Sequence, residues 1–294
     1  MPEIKVRFLC ELFFSGCIMR ILLLVVILIS GCYFEVPVAT PRTPTSVGKE
    51  DIALEKVALQ KFSTTQTVTT KSLWQNYSPT YNSIEFPQAN TSLLSAKQIY
   101  QKYKNSVVVI CGRYLCDRCS DWHLTSSSGF MLNDTGVCVT SHHVIADVEM
   151  ERFIVLSVEQ KSYGIEKILH ADKENDFVIL QLSGRDFTKG IPLAEPVVGD
   201  KIFVISHPQR NYYTLTSGII SRLFTPEKRH TQTPYISITA DYAAGSSGGP
   251  IINENGNVVG IVSYTQYAYA GREVQIIFKN ATNAMAIAKG LLQN

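Results

Sequence analysis

Gly245-Ser246-Ser247-Gly248-Gly249-Pro250-Ile251-Ile252-Asn253-Glu254-Asn255-Gly256-Asn257-Val258-Val259-Gly260-Ile261-Val262 reads as loop, strand, turn and strand. Asn-Gly between apolar runs is a strong short-range hairpin signal. The same grammar occurs upstream, where Phe130-Met131-Leu132 and Val137-Cys138-Val139-Thr140 flank Asn133-Asp134-Thr135-Gly136. Further short apolar runs lie at Val107–Ile110, Phe153–Val158, Phe177–Leu182, Lys201–Ser206, Tyr213–Ile220 and Tyr235–Thr239. Many short strands with few long helical patterns predict an all-β fold of barrels or sandwiches. The Ala-, Ile- and Leu-rich tail Ala281–Leu292 predicts a closing helix.

The chain has 294 residues, 45% of them hydrophobic and 18% charged, enough for a sizeable core. Its 27 basic and 25 acidic residues leave a net charge of +2. That balance offers no polycationic field for nucleic acid, so this partner class is set aside. Arg20 precedes an apolar run, Ile21–Ile29, that ends in Ile29-Ser30-Gly31-Cys32. The run is too short to cross a hydrocarbon core, which needs about 20 residues, and reads as a secretory leader. Its end resembles the bacterial lipobox, which implies cleavage before Cys32 and lipidation of that residue. Tyr33 replaces the Asp associated with inner-membrane retention, so an outer membrane is the expected address. Residues 1–31 are therefore expected to be a lipoprotein signal peptide, with Met19 a possible alternative start.

Residues 32–93 are rich in Thr, Ser and Pro, as in Ala39-Thr40-Pro41-Arg42-Thr43-Pro44-Thr45. Such composition predicts a mostly disordered tether. Ile52, Leu54, Val57 and Leu59 are loosely periodic and permit a short helix within it. Of the seven cysteines, Cys10, Cys17 and Cys32 lie in or at the end of the leader. Cys111, Cys116, Cys119 and Cys138 remain, an even number that in an exported chain predicts disulfides with three possible pairings. Three other readings are a zinc site from Cys111, Cys116, Cys119 and His123, a Cys116–Cys119 redox pair, and free thiols.

A serine hydroxyl needs a base to take its proton and donors to hold the oxyanion it creates. Gly245-Ser246-Ser247-Gly248-Gly249 lies between two strands, and its glycines let the backbone turn N–H groups inward. Ser247 is the candidate nucleophile, and the N–H groups of Gly245 and Ser247 the candidate oxyanion hole. In Val139-Thr140-Ser141-His142-His143-Val144 a strand end carries two imidazoles, either of which could be a base. Asp176 opens the apolar run Phe177–Leu180, where a half-buried carboxylate can orient an imidazole. Asp172 is the alternative, in a polar turn it is better placed to cap.

In the order His, Asp, Ser on an all-β background, the chain resembles the chymotrypsin/trypsin-fold serine peptidases, and more closely their bacterial Deg/HtrA branch. Thr140-Ser141-His142-His143-Val144, Asp176 and Gly245 to Gly249 match that branch's catalytic segments. Val198-Gly199-Asp200 through His207-Pro208, and Thr216-Ser217-Gly218-Ile219-Ile220-Ser221, match two of its strands. Motifs weak alone become specific together, in order and spacing. The resemblance selects His143 over His142 as the base. It implies two antiparallel Greek-key β-barrels, about 94–184 and 185–279, with a C-terminal helix at 281–292 and a peptidase domain spanning 94–294. It also implies polypeptide substrates and a reaction that needs no metal or organic cofactor. The sequence leaves the oligomeric state open.

No PDZ-sized segment follows, so the branch's regulated, cage-forming behaviour is not implied. Ser263-Tyr264-Thr265 resembles the strand that pairs with substrate backbone. Asp241 stands six residues before Ser247. By the resemblance it either selects Lys and Arg side chains or orders its loop. The expected activity is that of an exported, lipid-anchored serine endopeptidase. The alternatives are a catalytically idle peptide-binding module on the same fold and a thiol-redox or zinc-binding lipoprotein centred on Cys116 and Cys119.

Overall fold

The computed structural model describes residues 48–79, 84–146 and 150–292. The expected leader, Cys32 and the first part of the tether lie outside the described residues.

Twelve strands close into two antiparallel barrels. The first contains β1 (Val107–Leu115), β2 (Trp122–Met131), β3 (Val137–Thr140), β4 (Arg152–Leu156), β5 (Ser162–Asp172) and β6 (Phe177–Ser183). The second contains β7 (Lys201–Ser206), β8 (Thr214–Phe224), β9 (Tyr235–Ile238), β10 (Pro250–Asn253), β11 (Val258–Ala270) and β12 (Glu273–Asn283). Around the first barrel the order is β1-β2-β3-β6-β5-β4. Around the second it is β7-β8-β9-β12-β11-β10, the same topology repeated.

Several strands read as unbroken apolar runs because both their faces are buried. On β3, Cys138 packs with Val108, Ile110 and Met131 inside the first barrel. Its neighbours Val137 and Val139 join an apolar cluster that also contains Phe203, Ile205 and Ile261 of the second barrel. The barrels are thus joined by a shared core. Ile202, Val204, Ile236 and Ile251 fill the second barrel.

The two predicted hairpin turns use one device. Asn133 Oδ1 accepts the N–H groups of Thr135 at 3.0 Å and Val137 at 3.1 Å. Asn253 Oδ1 does the same for Asn255 at 3.1 Å and Asn257 at 3.0 Å. A side-chain oxygen in place of a backbone acceptor fixes the chain reversal.

The expected disordered tether is corrected where it is described. α1 (Lys49–Thr64) buries Leu54, Ala58 and Phe62 on Val109, Cys111, Ile154 and Leu156. These positions are four apart and share one helix face. Ile52 and Leu59, part of the pattern read from sequence, are instead exposed. α2 (Thr70–Gln75) buries Leu73, and Trp74 Nε1 donates to Ile145 O at 3.0 Å. Farther along, Asn90 N donates to Asn257 Oδ1 at 2.7 Å and Leu94 N to Glu254 O at 2.8 Å. The arm therefore contacts the outside of both barrels before α3 (Ala96–Tyr103) leads into β1.

The expected disulfides are also corrected: Cys111, Cys116, Cys119 and Cys138 are free. Cys111 faces outward beneath α1, whereas Cys138 faces the barrel interior. The sheet itself separates them. Burial pushes both thiols up to about 12. The last helix, α5 (Ala284–Leu292), starts later than expected because Ala281 and Thr282 belong to the β11–β12 ladder. Asn283 Oδ1 then accepts Met285 N at 2.9 Å and caps the helix.

Candidate active site

β3 ends at Thr140, and one helical turn, α4 (His142–Ile145), follows. That turn points the two imidazoles apart. The His142 ring lies 5.3 Å from the Trp74 ring. The His143 ring faces Asp176, with Nδ1 2.9 Å from Oδ2 and 3.0 Å from Oδ1. The His143 backbone N–H adds a third bond, to Oδ1 at 3.1 Å. Trp74 anchors the far end of the turn through Ile145 O, so α2 helps fix the histidine.

Asp176 precedes β6 with φ 55°, a left-handed conformation that aspartate tolerates better than most residues. Its side chain is 6% exposed, against 50% for His143. Ser263 Oγ also donates to Asp176 Oδ2. Burial pushes the Asp176 carboxyl up, but the hydrogen bonds and charge of His143 and the Ser263 bond outweigh it and hold it below the usual carboxylate range. Asp172 instead caps its own turn, accepting Asn175 N at 2.9 Å and Asn175 Nδ2 at 2.6 Å.

The loop carrying Ser247 is tied to the same place. Ser247 O accepts Ser128 N at 2.9 Å, and Gly248 N donates to Val262 O at 2.9 Å. Ser141 Oγ donates to that same Val262 carbonyl at 2.9 Å. A Cβ on Gly248 would lie 2.2 Å from Thr140 Oγ1 and 2.8 Å from Ser141 N. Such close approach requires glycine, and it seats the Ser247 loop against the segment that leads into His143. The neighbouring hydroxyl is occupied elsewhere: Ser246 is fully buried, with Oγ 3.0 Å from Ser206 Oγ. Ser247 is half-buried.

Two carbonyls of this loop are pinned. Ala244 O accepts Gln209 N at 2.7 Å, and Ser246 O accepts Gly249 N at 2.9 Å. In a trans peptide the N–H points opposite the C=O. The following N–H groups, those of Gly245 and Ser247, are therefore turned away from these anchors. Among the described residues neither donates to a protein acceptor. Gly245 has φ 92°, and a Cβ there would lie 2.5 Å from His207 O. Its own carbonyl accepts Ser128 Oγ at 2.9 Å.

Sequence reasoning missed Ser128 and Gln209, and gave His207 no role beyond its place in a matching segment. Gln209 has φ 49°, which carried no glycine signal. α1 braces this segment from outside: Asp51 Oδ1 accepts Tyr212 N at 3.0 Å, and Glu55 meets Arg210 at 3.2 Å.

An open cleft of about 750 Å³ adjoins His143, lined by His142, Asp176, Arg229, Ser263 and Tyr264 among others. Asp241 is not among its lining residues. Its carboxylate is 87% exposed and 3.3 Å from Lys279 Nζ, and its carbonyl accepts Thr216 Oγ1 at 2.7 Å. Ser263, expected on the substrate-pairing strand, directs its side chain to Asp176. Tyr264 and Thr265 follow it on β11, where pairing with β10 reaches only to Ile261.

Residues 127–261 match the family model described as Trypsin-like peptidase domain. The chain is similar to a protein named probable periplasmic serine endoprotease DegP-like of Pseudomonas putida, 30% identical over 138 residues, 46% of this chain and 28% of that one. It is equally similar to the protein of that name from Ectopseudomonas mendocina, 30% identical over 142 residues, with the same shares of 46% and 28%. The chain thus spans little more than a quarter of the length of these relatives. Among solved structures, an HtrA-type protease with decapeptide aligns with a TM-score of 0.53 at 16% identity, over 68% of this chain and 67% of that one. The serine endoprotease from Yersinia pestis aligns with a TM-score of 0.52 at 24% identity, over 69% and 68%. Residues 127–261 are thus similar to a trypsin-like peptidase domain, and the chain shares its double-barrel fold with solved HtrA-type proteases.

Proposed function

We propose that this chain is a serine endopeptidase in which Ser247 attacks, His143 is the base and Asp176 orients it. The observation that carries the reading is the His143–Asp176 pair, 2.9 Å apart, with the Ser247 loop packed at Gly248 against Thr140 and Ser141 and its Ala244 and Ser246 carbonyls bonded to Gln209 N and Gly249 N. Asp176 accepts from Nδ1, which leaves Nε2 as the basic nitrogen. Nε2 takes the Ser247 Oγ proton as Oγ bonds to a peptide carbonyl carbon. The carbonyl oxygen gains the electron pair and is held by the N–H groups of Gly245 and Ser247. The imidazolium, stabilised by the ionised Asp176, returns the proton to the leaving amine. Water then enters by the same route and frees the acyl group.

A substrate in extended form adds to the edge of β11 beyond Ile261, with Tyr264 and Thr265 as its backbone partners. The peptide ligand of an HtrA-type neighbour supports polypeptide substrates. The periplasmic naming of the relatives supports export. The chain reaches that compartment through the leader 1–31 and stays on the outer membrane through a lipidated Cys32. Replacement of Cys32 with Ser is expected to release the protein from membranes or block its maturation. Unchanged partitioning and processing would remove the anchor.

Cleavage profiling against a peptide library tests the activity. Wild type is expected to cut internal peptide bonds, and Ser247→Ala and His143→Ala to lose this while keeping wild-type folding. No cleavage by wild type, or equal cleavage by Ser247→Ala, would overturn the assignment and leave a peptide-binding module.

A further inference from the structure

β1 and β2 pair out to Leu115 with Trp122, so Cys116 to Asp121 form the tip of a hairpin. The catalytic reading makes no use of this tip. The tip and the start of β2 hold Cys116, Cys119 and His123, whose sulfur and ring-nitrogen atoms all lie within 4.8 Å of one another. Cys119 Sγ is 3.0 Å from His123 Nε2. From these residues we propose a zinc site: Cys116 Sγ, Cys119 Sγ and His123 Nε2 bind one Zn²⁺, with the fourth position open to solvent.

The distances suit the ion. Zn–S bonds of about 2.3 Å and Zn–N bonds of about 2.0 Å, at tetrahedral angles, put donor atoms about 3.5–3.8 Å apart. The tip needs only a small side-chain adjustment to reach that spacing. Its backbone is already closed, with Cys116 N bonded to Asp121 O and Ser120 N to Cys116 O, both at 2.9 Å. Ser120 makes the reversal with φ 58°.

Asp117 and Asp121 lie in the same hairpin tip and place negative charge beside the two cysteines. The His123 ring stacks on Tyr114, with centroids 5.7 Å apart, which restricts its plane.

Packing does not account for these side chains. Cys119 and His123 are exposed and Cys116 is half-buried, whereas Cys111 and Cys138 are buried core thiols. Cys111, considered for this site from its spacing, lies beneath α1 and drops out of the ligand set.

Cobalt(II) titration of the reduced full chain tests the proposal, since thiolate-bound cobalt absorbs in the near ultraviolet and visible. One equivalent is expected to bind with tetrahedral thiolate bands, and Zn²⁺ to displace it. Cys116→Ser/Cys119→Ser is expected to lose these bands with an unchanged circular dichroism spectrum. His123→Ala is expected to weaken binding at least about 10-fold. Absence of stoichiometric binding, or bands unchanged in the double variant, would overturn the site. So would a Cys116–Cys119 disulfide that forms in air despite excess Zn²⁺.

Discussion

Acid should weaken the joint between the barrels through one residue, His207. Its imidazole is fully buried. Nε2 is 3.1 Å from Val108 O of the first barrel, and Nδ1 accepts Tyr213 N at 3.0 Å. Only the neutral ring, with its proton on Nε2, satisfies both bonds. A second proton would set Nδ1–H against the Tyr213 N–H. Burial accordingly lowers the His207 pKa from 6.5 to about 4.

The sign follows from proton counting. Between pH 6.5 and about 4 the unfolded chain holds a proton here that the native chain does not. Stability from this residue is full above the unfolded value and falls as pH drops, by about 1.4 kcal/mol per unit. Over the whole window the loss is about 3 kcal/mol. Urea unfolding followed by tryptophan fluorescence, in a Ser247→Ala background to prevent self-cleavage, measures it. His207→Phe is expected to be less stable at neutral pH and to lose this part of the acid slope. Equal slopes in parent and variant would refute the reasoning.

Other outcomes follow from the same geometry. Asp176→Asn keeps the shape but removes the charge that favours the Nδ1–H tautomer; kcat should fall by about 10⁴ with KM little changed, as steady-state peptide kinetics would show. Gly245→Ala places a Cβ 2.5 Å from His207 O at φ 92°, so kcat should fall by at least about 10² as the oxyanion donor is displaced, with tight binding of product peptides retained. Phe62→Ala removes a ring that is 3% exposed, and chemical denaturation should report a loss of about 3 kcal/mol. Cys111 should resist an aromatic disulfide reagent until the chain unfolds, while Cys119 reacts at once, because only the former is buried.

The double-barrel fold was legible because its turns are local chemistry. Asn133 and Asn253 each bond forward to their own backbone, so Asn-containing turns between apolar runs carried the strand pattern. The candidate triad was legible because each member sits in a short conspicuous segment. The braces were not. Ser128 and Gln209 act through contacts 117 and 35 residues away, to Gly245 and Ala244, which no local pattern encodes. A short helix was legible at α1, but most of the face it packs was not. Ile52 and Leu59 are its conspicuous apolar residues, yet Ala58 and Phe62 make the contact, a face defined by the barrel it meets. The cysteine count misled because parity cannot reveal that Cys111 and Cys138 face opposite sides of one sheet.

Reaction of the intact chain with a fluorophosphonate, read by mass spectrometry, addresses the nucleophile directly. An activated hydroxyl next to an imidazole base should take one phosphonyl group, on Ser247, and Ser247→Ala should take none. Labelling of some other residue, or no labelling of a folded wild-type protein, would contradict the account.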